Sequence, residues 1–344
     1  MHKCRNYKQL SPENIQCLTC AHYCKIKPGQ VGICGIRQNQ EGKLYLLTYG
    51  KAAAAQVDPI EKKPFFHFLP GSTAYSFGTL GCNFRCANCQ NCDISQMFDA
   101  KGNVGQFKKI HWGQSLSPEQ IVEAALNTKC QSIAYTYNEP TVFLEYAIDT
   151  MKLAKQKGLK NVWVSNGFMS PETVDLILPY LDAINIDIKS FDDAFYQTNC
   201  GARLQPVLDN CKRFVEAGVW LEITTLIIPT LSDDKRMLRQ LAKFIKRELA
   251  GFVPWHLSAF SGEISWKLQN LSETDPALIA EAYRLGKDEG LKYVYAGNLW
   301  DVSLSSTHCV KCRRLIIQRE GYAVQRFDDA GLCKHCGREI EGVF

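Results

Sequence analysis

Between residues 73 and 260 the sequence alternates short apolar runs with longer amphipathic stretches. The apolar runs are rich in β-branched and aromatic residues, and they are too apolar to expose one face to water, which is typical of strands buried on both sides. Repeated strand–helix units imply parallel strands joined by right-handed crossovers. The runs are TAYSFGTL (73–80), SIAYTY (132–137), NVWVSN (161–166), AINIDI (183–188), WLEITTLII (220–228) and PWHLSAF (254–260).

These six runs are too few for a closed eight-stranded barrel. The pattern therefore predicts an α/β fold with a partial (β/α)6 TIM-like barrel that stays open. In barrels of this kind the chemistry lies at the C-terminal ends of the strands and in the loops that follow them. We therefore expect the functional residues at the ends of the six runs.

The stretches between the runs carry helix boundary signals. Ser117 and Gln120 stand at the N-cap and N3 positions of a capping box, with a proline between them. The segment 202–218 carries one apolar stripe that includes Cys211, so this cysteine is predicted to be a packing residue. Three helices are predicted to end at glycines, which suit the left-handed position after a helix: Gly158, Gly218 and Gly290.

Most of the 16 cysteines fall into three short groups, at 17–34, 82–92 and 309–336. Such grouping suits metal sites in a reducing compartment better than disulfides. No apolar run is long enough for a membrane helix, and the N-terminus lacks the apolar core of a signal peptide, so a cytoplasmic protein without a membrane partner is expected. The formal charge of +5 neither demands nor excludes nucleic acid.

The cysteine groups also suggest the domain organisation. A metal-binding segment is predicted at 1–50, the partial barrel at 51–298 and a zinc ribbon at 299–344. The ribbon would hold its metal through two C-x2-C pairs that flank a predicted hairpin, LIIQREGYAVQRF. Its small size favours a structural metal; zinc is the first choice and rubredoxin-like iron the alternative. The four predicted ligands are Cys309, Cys312, Cys333 and Cys336.

The N-terminal group places four cysteines within eighteen residues, which again indicates one metal centre. Zinc is the first choice and a second iron–sulfur cluster is the alternative. His22 lies among these cysteines and could replace one ligand, although a position beside the ligands or on the surface is favoured for it. The predicted ligands are Cys17, Cys20, Cys24 and Cys34.

The stretch GCNFRCANCQNC (81–92) directly follows the first predicted strand and so lies on the face where chemistry is expected. One interpretation takes Cys86, Cys89 and Cys92 as the start of a ferredoxin run, but such a run needs a further cysteine where Gln96 stands. The other takes Cys82, Cys86 and Cys89 as a C-x3-C-x2-C motif. Cys92 is then a small packing residue of the loop.

GCNFRCANCQN resembles the cluster motif of radical S-adenosylmethionine (SAM) enzymes. The resemblance implies that Cys82, Cys86 and Cys89 hold three irons of a [4Fe–4S] cluster while SAM chelates the fourth. An electron from the cluster would then cleave SAM to methionine and a 5′-deoxyadenosyl radical that abstracts hydrogen. The family usually has an aromatic residue before the third cysteine, where this chain has Asn88. The adenine contact is therefore in question, and Phe84 is a candidate to supply part of the packing.

Polar residues at later strand ends match SAM contacts of the pyruvate formate-lyase-activating branch of that family. The match implies that Glu139 contacts the SAM ammonium group, that Asp187 binds the ribose and that Lys189 pairs with the SAM carboxylate. His256 matches a histidine near the ribose or the substrate. The complete predicted set is Asn138, Glu139, Ser165, Asn166, Asp187, Lys189 and His256.

Each of these residues also has a purely structural alternative. Glu139 could cap the helix that begins near Thr141, and Asp187 could form a buried ion pair with Lys189. His256 could be a hydrogen-bonded core histidine. Glu222, in the fifth run, is expected either to face the barrel interior or to pair with Lys189.

Nearly the whole chain resembles the radical SAM protein of the AmmeMemoRadiSam system. The resemblance rests on the N-terminal cysteines, EKKPFFHFLPG (61–71), the cluster motif, AYTYNEPT and the final C-x2-C pairs. It implies association with Memo-type and AMME-type proteins and a need for an electron donor, but it does not indicate the substrate.

The leading hypothesis is thus a radical SAM enzyme of the oxidoreductase or activase type. One alternative is an activase that takes hydrogen from a glycine of a partner enzyme. Another is a non-enzymatic iron–sulfur and zinc module for nucleic acid. The last is disfavoured because the basic residues of the ribbon form only a modest patch, predicted to be a solvated face: Lys311, Arg313, Arg314, Arg319 and Arg326.

Overall fold

An eight-stranded sheet forms the centre of the computed structural model, which describes residues 1–97, 112–299 and 301–344. The strands in chain order are β1 (His2–Lys3), β2 (Tyr7–Gln9), β3 (Ile15–Cys17), β4 (Lys25–Ile26), β5 (Arg37–Gln40), β6 (Lys43–Leu46), β7 (Lys51–Ala52), β8 (Ala54–Pro59), β9 (Thr73–Gly78), β10 (Gln114–Ser115), β11 (Ser132–Tyr135), β12 (Lys160–Ser165), β13 (Ala183–Asp187), β14 (Trp220–Ile227), β15 (Trp255–Ala259), β16 (Val294–Gly297), β17 (Thr307–His308), β18 (Leu315–Glu320), β19 (Ala323–Arg326), β20 (Asp328–Asp329) and β21 (Leu332–Cys333).

Helices alternate with the strands of this sheet. The α-helices are α1 (Cys92–Ser95), α2 (Pro118–Asn127), α3 (Leu144–Gln156), α4 (Pro171–Ile177), α5 (Asp193–Phe195), α6 (Gln205–Glu216), α7 (Lys235–Phe244), α8 (Pro276–Asp288) and α9 (Val302–Ser305). Two 3-10 turns lie at Ile60–Lys62 and Pro140–Phe143. Two π-helical turns lie at Tyr196–Cys200 and Ile245–Ala250.

The strand order of the central sheet is β16-β15-β14-β13-β12-β11-β9-β8. Every neighbouring pair is parallel except β8–β9, so the sheet is built from successive strand–helix units, as predicted. All six predicted runs form strands of this sheet. The C-terminal ends of β9 and β11–β15 therefore lie on one edge, where the loops with the predicted site residues begin.

The predicted count of six strands is wrong, because β16 adds a seventh parallel strand and β8 adds an antiparallel edge. β16 is only four residues long and ends at a glycine, so its sequence VYAG is too short to stand out as an apolar run. β8 has the sequence AAQVDP, with Gln56 and Val57 exposed. An edge strand with one wet face does not show the continuous apolar pattern of a central strand.

The predicted helix boundaries are confirmed. Ser117 Oγ accepts a hydrogen bond from the Gln120 backbone N–H at 3.3 Å, and Gln120 Oε1 accepts one from Ser117 N–H at 2.8 Å. Cys211 is fully buried on α6, as the apolar stripe predicts. The glycines that follow α3, α6 and α8 all have left-handed backbone angles: Gly158 at φ 78°, Gly218 at φ 75° and Gly290 at φ 91°.

The N-terminal segment packs against the helical side of the sheet through a buried ion pair. Arg37, on β5, places Nη2 at 2.5 Å from Oε2 of Glu145, on α3. Arg37 Nε also donates to the carbonyl oxygen of Val142 at 2.9 Å. Removing one partner of such a buried pair costs about 3–5 kcal/mol, because the other charge is left uncompensated. The pair therefore fixes how the segment lies on the sheet.

The C-terminal module is a three-stranded antiparallel sheet of β17, β18 and β19. The predicted hairpin is confirmed as β18–β19, with its turn at Gly321 and Tyr322. The module packs on β16 and on Phe66 through a second apolar cluster that contains Ile316 and Ile317.

Arg319 contradicts the prediction of a solvated basic face, because it is completely buried under this module. Its Nη2 donates to the carbonyl oxygen of Phe66 at 2.6 Å, and its guanidinium stacks on the Phe66 ring at 4.1 Å. Nη1 donates to Thr307 Oγ1 at 2.8 Å. Arg319 therefore fastens the module to the sheet.

His67 lies at the same junction and is fully buried. Its Nδ1 is 2.7 Å from the carbonyl oxygen of Glu341, which can only accept, so Nδ1 carries the proton. Its Nε2 is 2.6 Å from the hydroxyl of Tyr295, which therefore donates to it. These two hydrogen bonds require the neutral imidazole of His67, and burial lowers the pKa of His67 to about 4.

This buried histidine predicts a pH-dependent stability. Between the unfolded pKa of about 6.5 and the folded value of about 4, the unfolded chain binds the extra proton. The stabilisation is thus complete above pH 6.5 and falls by at most about 1.4 kcal/mol per pH unit as the pH drops through this window. Urea denaturation of the wild type and His67→Asn at several pH values measures the effect. The variant should show a shallower loss between pH 6.5 and pH 4; equal slopes would contradict the account.

Candidate functional site

A cavity of about 440 Å³ opens at the C-terminal edge of the central sheet. It collects residues from seven strand ends that are far apart in the sequence. Of the residues predicted for the cluster and for SAM, those that line it are Cys82, Cys86, Cys89, Asn138, Glu139, Ser165, Asn166, Asp187 and Lys189. His256 is the one member of the predicted set that does not line this cavity.

The three motif cysteines lie in the loop after β9. The loop is fastened to the π-helical turn Tyr196–Cys200: Arg85 N–H donates to the carbonyl oxygen of Cys200 at 2.8 Å, and Ala87 N–H donates to that of Asn199 at 3.0 Å. Asn88, which replaces the aromatic residue of the family, accepts a hydrogen bond at Oδ1 from Asn199 Nδ2 at 2.8 Å. The polar residue at this position therefore serves to attach the loop.

Cys200 is a neighbour of the site that the sequence did not predict. Its carbonyl oxygen accepts the hydrogen bond from Arg85 N–H, next to Cys86, and its thiol raises the pKa of the Cys86 thiol. No spacing pattern links it to the motif, because more than a hundred residues separate the two thiols along the chain. Cys92 instead begins α1, and it does not line the cavity.

Glu139 connects the ends of β11 and β12 from a fully buried position. Oε1 accepts hydrogen bonds from Thr141 N–H at 3.0 Å and from Ser165 Oγ at 2.8 Å, and Oε2 accepts one from Asn166 N–H at 2.8 Å. Glu139 therefore caps the 3-10 turn Pro140–Phe143, as the structural alternative for this residue predicted. Burial raises the pKa of the carboxyl group, and these hydrogen bonds oppose that effect. Since Oε2 accepts only one hydrogen bond, it can take another, and the contact with an ammonium group stays a prediction.

Two asparagines hold the cysteine loop against these strand ends. Asn138 donates from Nδ2 to the carbonyl oxygen of Gly81 at 2.7 Å and accepts at Oδ1 from Thr79 N–H at 3.1 Å. Asn166 donates from Nδ2 to Asn83 Oδ1 at 2.8 Å. Both amides position the loop, so their predicted contact with SAM stays untested.

Asp187 and Lys189 form an ion pair at the end of β13, with Nζ at 2.7 Å from Oδ2. The ion pair that the sequence offered as an alternative for these residues is therefore present. Both side chains also line the cavity. Burial lowers the pKa of Lys189, but the Asp187 carboxylate outweighs burial, so the pKa is raised overall. The cavity thus presents a fixed cation and a carboxylate side by side.

His256 lines an adjoining cavity of about 430 Å³. The two cavities share Pro64, Ser258 and Tyr322 among their lining residues. Glu222 Oε2 lies 2.6 Å from His256 Nε2, so the expected pairing of Glu222 with Lys189 is wrong. The parallel register of β14 and β15 brings these two side chains together.

The two flanking cysteine groups differ in spacing. The sulfurs of Cys309, Cys312, Cys333 and Cys336 all lie within 4.8 Å of one another, with the closest pairs at 3.6 Å. This group can bind a metal ion. Among the described residues, no three of the N-terminal sulfurs are that close. His22 Nε2 lies 2.8 Å from the carbonyl oxygen of Asn83, so that nitrogen is engaged with the cysteine loop.

An open, mostly parallel sheet gathers three cysteines, two carboxylates and an ammonium group at its C-terminal edge, which is the arrangement expected of a radical SAM enzyme. The model of the radical SAM superfamily matches residues 77–242. The uncharacterized protein MJ0808 of Methanocaldococcus jannaschii is 38% identical over 346 residues, which cover 100% of both chains. Residues 77–242 thus form a domain of the radical SAM superfamily, and the chain belongs to the same family as MJ0808.

The chain is also homologous to pyruvate formate-lyase-activating enzymes. The enzyme of that name from Clostridium pasteurianum is 26% identical over 209 residues, which cover 57% of this chain and 82% of the relative. A radical SAM methyltransferase from Sphaerobacter thermophilus shares the fold, with a TM-score of 0.50 and 13% identity over 72% of this chain and 71% of that one. None of the described helices is long and apolar enough to cross a membrane.

Membership of this superfamily implies a [4Fe–4S] cluster and SAM as cofactors, and the donor set of the cavity fits both. The three thiols are buried or half-buried and open onto one cavity. Burial raises the pKa of the Cys89 thiol to about 11, so a thiolate there requires a cationic centre beside it. Glu139, Asp187 and Lys189 offer two carboxylates and an ammonium group, which suit the charged amino and carboxylate groups of SAM and the hydroxyl donors of its ribose.

Proposed function

We propose that this enzyme cleaves SAM reductively and abstracts a hydrogen atom from a substrate that binds beside the SAM site. The single observation that carries the proposal is the convergence of Cys82, Cys86, Cys89, Glu139 and the Asp187–Lys189 pair on one cavity. When bound, the cluster and SAM supply one electron and a 5′-deoxyadenosyl radical.

The side chains of the cavity bind the cluster and SAM and hold them in position. The three cysteines would ligate the cluster, and SAM would bind beside it in the same cavity. Glu139 would accept from the ammonium group of SAM, Asp187 would accept from its ribose hydroxyls, and Lys189 would pair with its carboxylate.

The adjoining cavity is the proposed substrate compartment. It lies under the C-terminal hairpin, whose Tyr322 lines both cavities. The buried Glu222 carboxylate orients His256 from one side. His256 Nδ1 has no hydrogen-bond partner among the described residues and is the candidate to contact a substrate.

The C-terminal Cys4 site and the expected protein partners belong to the same proposed function. The C-terminal Cys4 site would hold zinc, because its sulfur spacing suits one tetrahedral ion. The sequence resemblance supports a cytoplasmic three-component system with Memo-type and AMME-type proteins and a separate electron donor. Arg319 is buried and cannot contribute to a basic surface, which further weakens the nucleic-acid alternative.

A second candidate function is activation of a glycyl-radical enzyme. The relatives from Clostridium pasteurianum and Klebsiella oxytoca are named as activating enzymes for pyruvate formate-lyase and (2S)-3-sulfopropanediol dehydratase. In that case the substrate would be a backbone glycine of a partner protein. A glycyl radical signal in the partner after incubation distinguishes this function from action on a small molecule.

Anaerobic reconstitution tests the proposal. The enzyme is loaded with iron and sulfide, reduced with dithionite and incubated with SAM, and 5′-deoxyadenosine is measured by mass spectrometry. Reduced enzyme should release 5′-deoxyadenosine, and enzyme without reductant should not. A fully loaded cluster that yields no product would overturn the proposal.

A further inference from the structure

The N-terminal cysteines form a second group of thiols next to the cysteine loop of the site. Cys17, Cys20 and Cys34 are buried and Cys24 is half-buried, and all four are free thiols. Cys17 N–H donates to the carbonyl oxygen of Cys24 at 2.9 Å, and a Cβ atom at Gly32, in the turn that contains Cys34, would lie 3.7 Å from Cys24 Sγ. The chain therefore brings these cysteines together, although they lie on β3, between β3 and β4, and in the loop after β4.

The spacing of the sulfurs separates this group from the C-terminal one. Zinc with Zn–S bonds of about 2.3 Å sets its four sulfurs about 3.8 Å apart in a tetrahedron. The C-terminal group, with closest pairs at 3.6 Å, matches that size. Among the residues that the structure describes, neither the N-terminal sulfurs nor those of Cys82, Cys86 and Cys89 form a group placed to hold a single metal ion. In this respect the N-terminal group resembles the cluster cysteines.

The N-terminal group also touches the cysteine loop directly. A Cβ atom at Gly81 would meet the carbonyl oxygen of Cys34 at 2.5 Å, so the two backbones are in contact beside Cys82. Arg85 donates from Nη1 to the carbonyl oxygen of Cys82 at 2.8 Å and from Nη2 to that of Ile33. His22 ties the segment to Asn83 on the same loop.

We propose that Cys17, Cys20, Cys24 and Cys34 hold a second iron–sulfur cluster, and that this cluster exchanges electrons with the one at Cys82, Cys86 and Cys89. Only the electron exchange rests on the proposed function. One electron leaves one cluster, which is oxidised, and enters the other, which is reduced; no covalent bond is made or broken. A centre with more than one metal atom explains why the N-terminal sulfurs are not placed to hold a single ion. The contact between the N-terminal segment and the cysteine loop explains how electrons pass between the two clusters.

Metal analysis of the full chain tests the second cluster. The variant Cys82→Ala/Cys86→Ala/Cys89→Ala leaves the N-terminal segment intact and should retain about two to four iron atoms with matching sulfide, together with about one zinc ion. Cys20→Ala/Cys24→Ala should lose that iron and keep the iron of the first cluster. A triple-cysteine variant that contains no iron and about two zinc ions would overturn the proposal, whether or not the wild type cleaves SAM.

Electron paramagnetic resonance tests the exchange. In fully reduced wild-type protein the two clusters should couple magnetically, so that the spectrum is broadened relative to the sum of the spectra of the two variants. A wild-type spectrum that equals this sum would place the clusters too far apart for exchange and would overturn that part of the proposal.

Discussion

Replacing Cys82 with alanine is expected to remove the site cluster and abolish SAM cleavage. In the proposed site each of the three motif thiolates holds one iron, and Cys82 lines the cavity, where Phe84 N–H donates to its sulfur at 3.4 Å. With two thiolates left, the cluster has no stable attachment. Iron and sulfide analysis should show a loss of about four iron atoms per chain, and 5′-deoxyadenosine should fall to the detection limit.

Two other cysteines provide matched controls. Cys92→Ala and Cys200→Ala each change a thiol that lies outside the cavity lining, and the Cys200 thiol influences the pKa of Cys86. Both variants should retain the site cluster and its iron. The account fails if Cys200→Ala loses the cluster while Cys82→Ala keeps it, because Cys200 would then be a ligand.

Asp187→Asn is expected to weaken SAM binding about 10- to 100-fold, because a hydrogen bond to a charged group contributes about 1.5–3 kcal/mol. The substitution keeps the shape of the side chain but removes its charge and its ion pair with Lys189. The cluster should remain, since neither residue ligates it. Anaerobic equilibrium binding of SAM, with iron content measured on the same samples, gives both quantities.

The matched control is Asp182→Asn, at the other end of the same strand. Asp182 directly precedes β13, pairs with Lys160 at 2.9 Å and accepts a hydrogen bond from Asn161 N–H at 2.9 Å. This variant should lose some stability and keep its SAM affinity, because it lies at the edge of the sheet opposite the cavity. Equal loss of SAM affinity in both variants would show that the effect is a general destabilisation.

The fold was predictable where burial leaves a local pattern. Strands such as β12 and β14 are buried on both faces, so their apolar runs are visible in the sequence. Parallel strands then bring their C-terminal ends to one edge, and this places Glu139 and Asp187 at one cavity without any knowledge of side-chain contacts. The short strand β16 and the half-exposed edge strand β8 lack that pattern.

The rest of the site depends on packing between distant segments. Cys200 reaches Cys86 only because a π-helical turn pairs with the cysteine loop, and such pairing has no local sequence signal. Glu222 contacts His256 because of the register of the two adjacent strands β14 and β15, and the sequence alone does not specify that register. A charged residue such as Arg319 is expected to be exposed. It is buried because its guanidinium binds the carbonyl oxygen of Phe66, more than 250 residues earlier in the chain.

The most direct test of the central claim is whether SAM binds to an iron of the cluster that no protein sulfur ligates. Electron–nuclear double resonance of the reduced enzyme, with SAM labelled with ¹⁵N in its amino group, measures that contact. The account predicts a hyperfine coupling between the label and the cluster held by Cys82, Cys86 and Cys89. A spectrum that SAM leaves unchanged, and that responds to SAM only after Cys200→Ala, would contradict it.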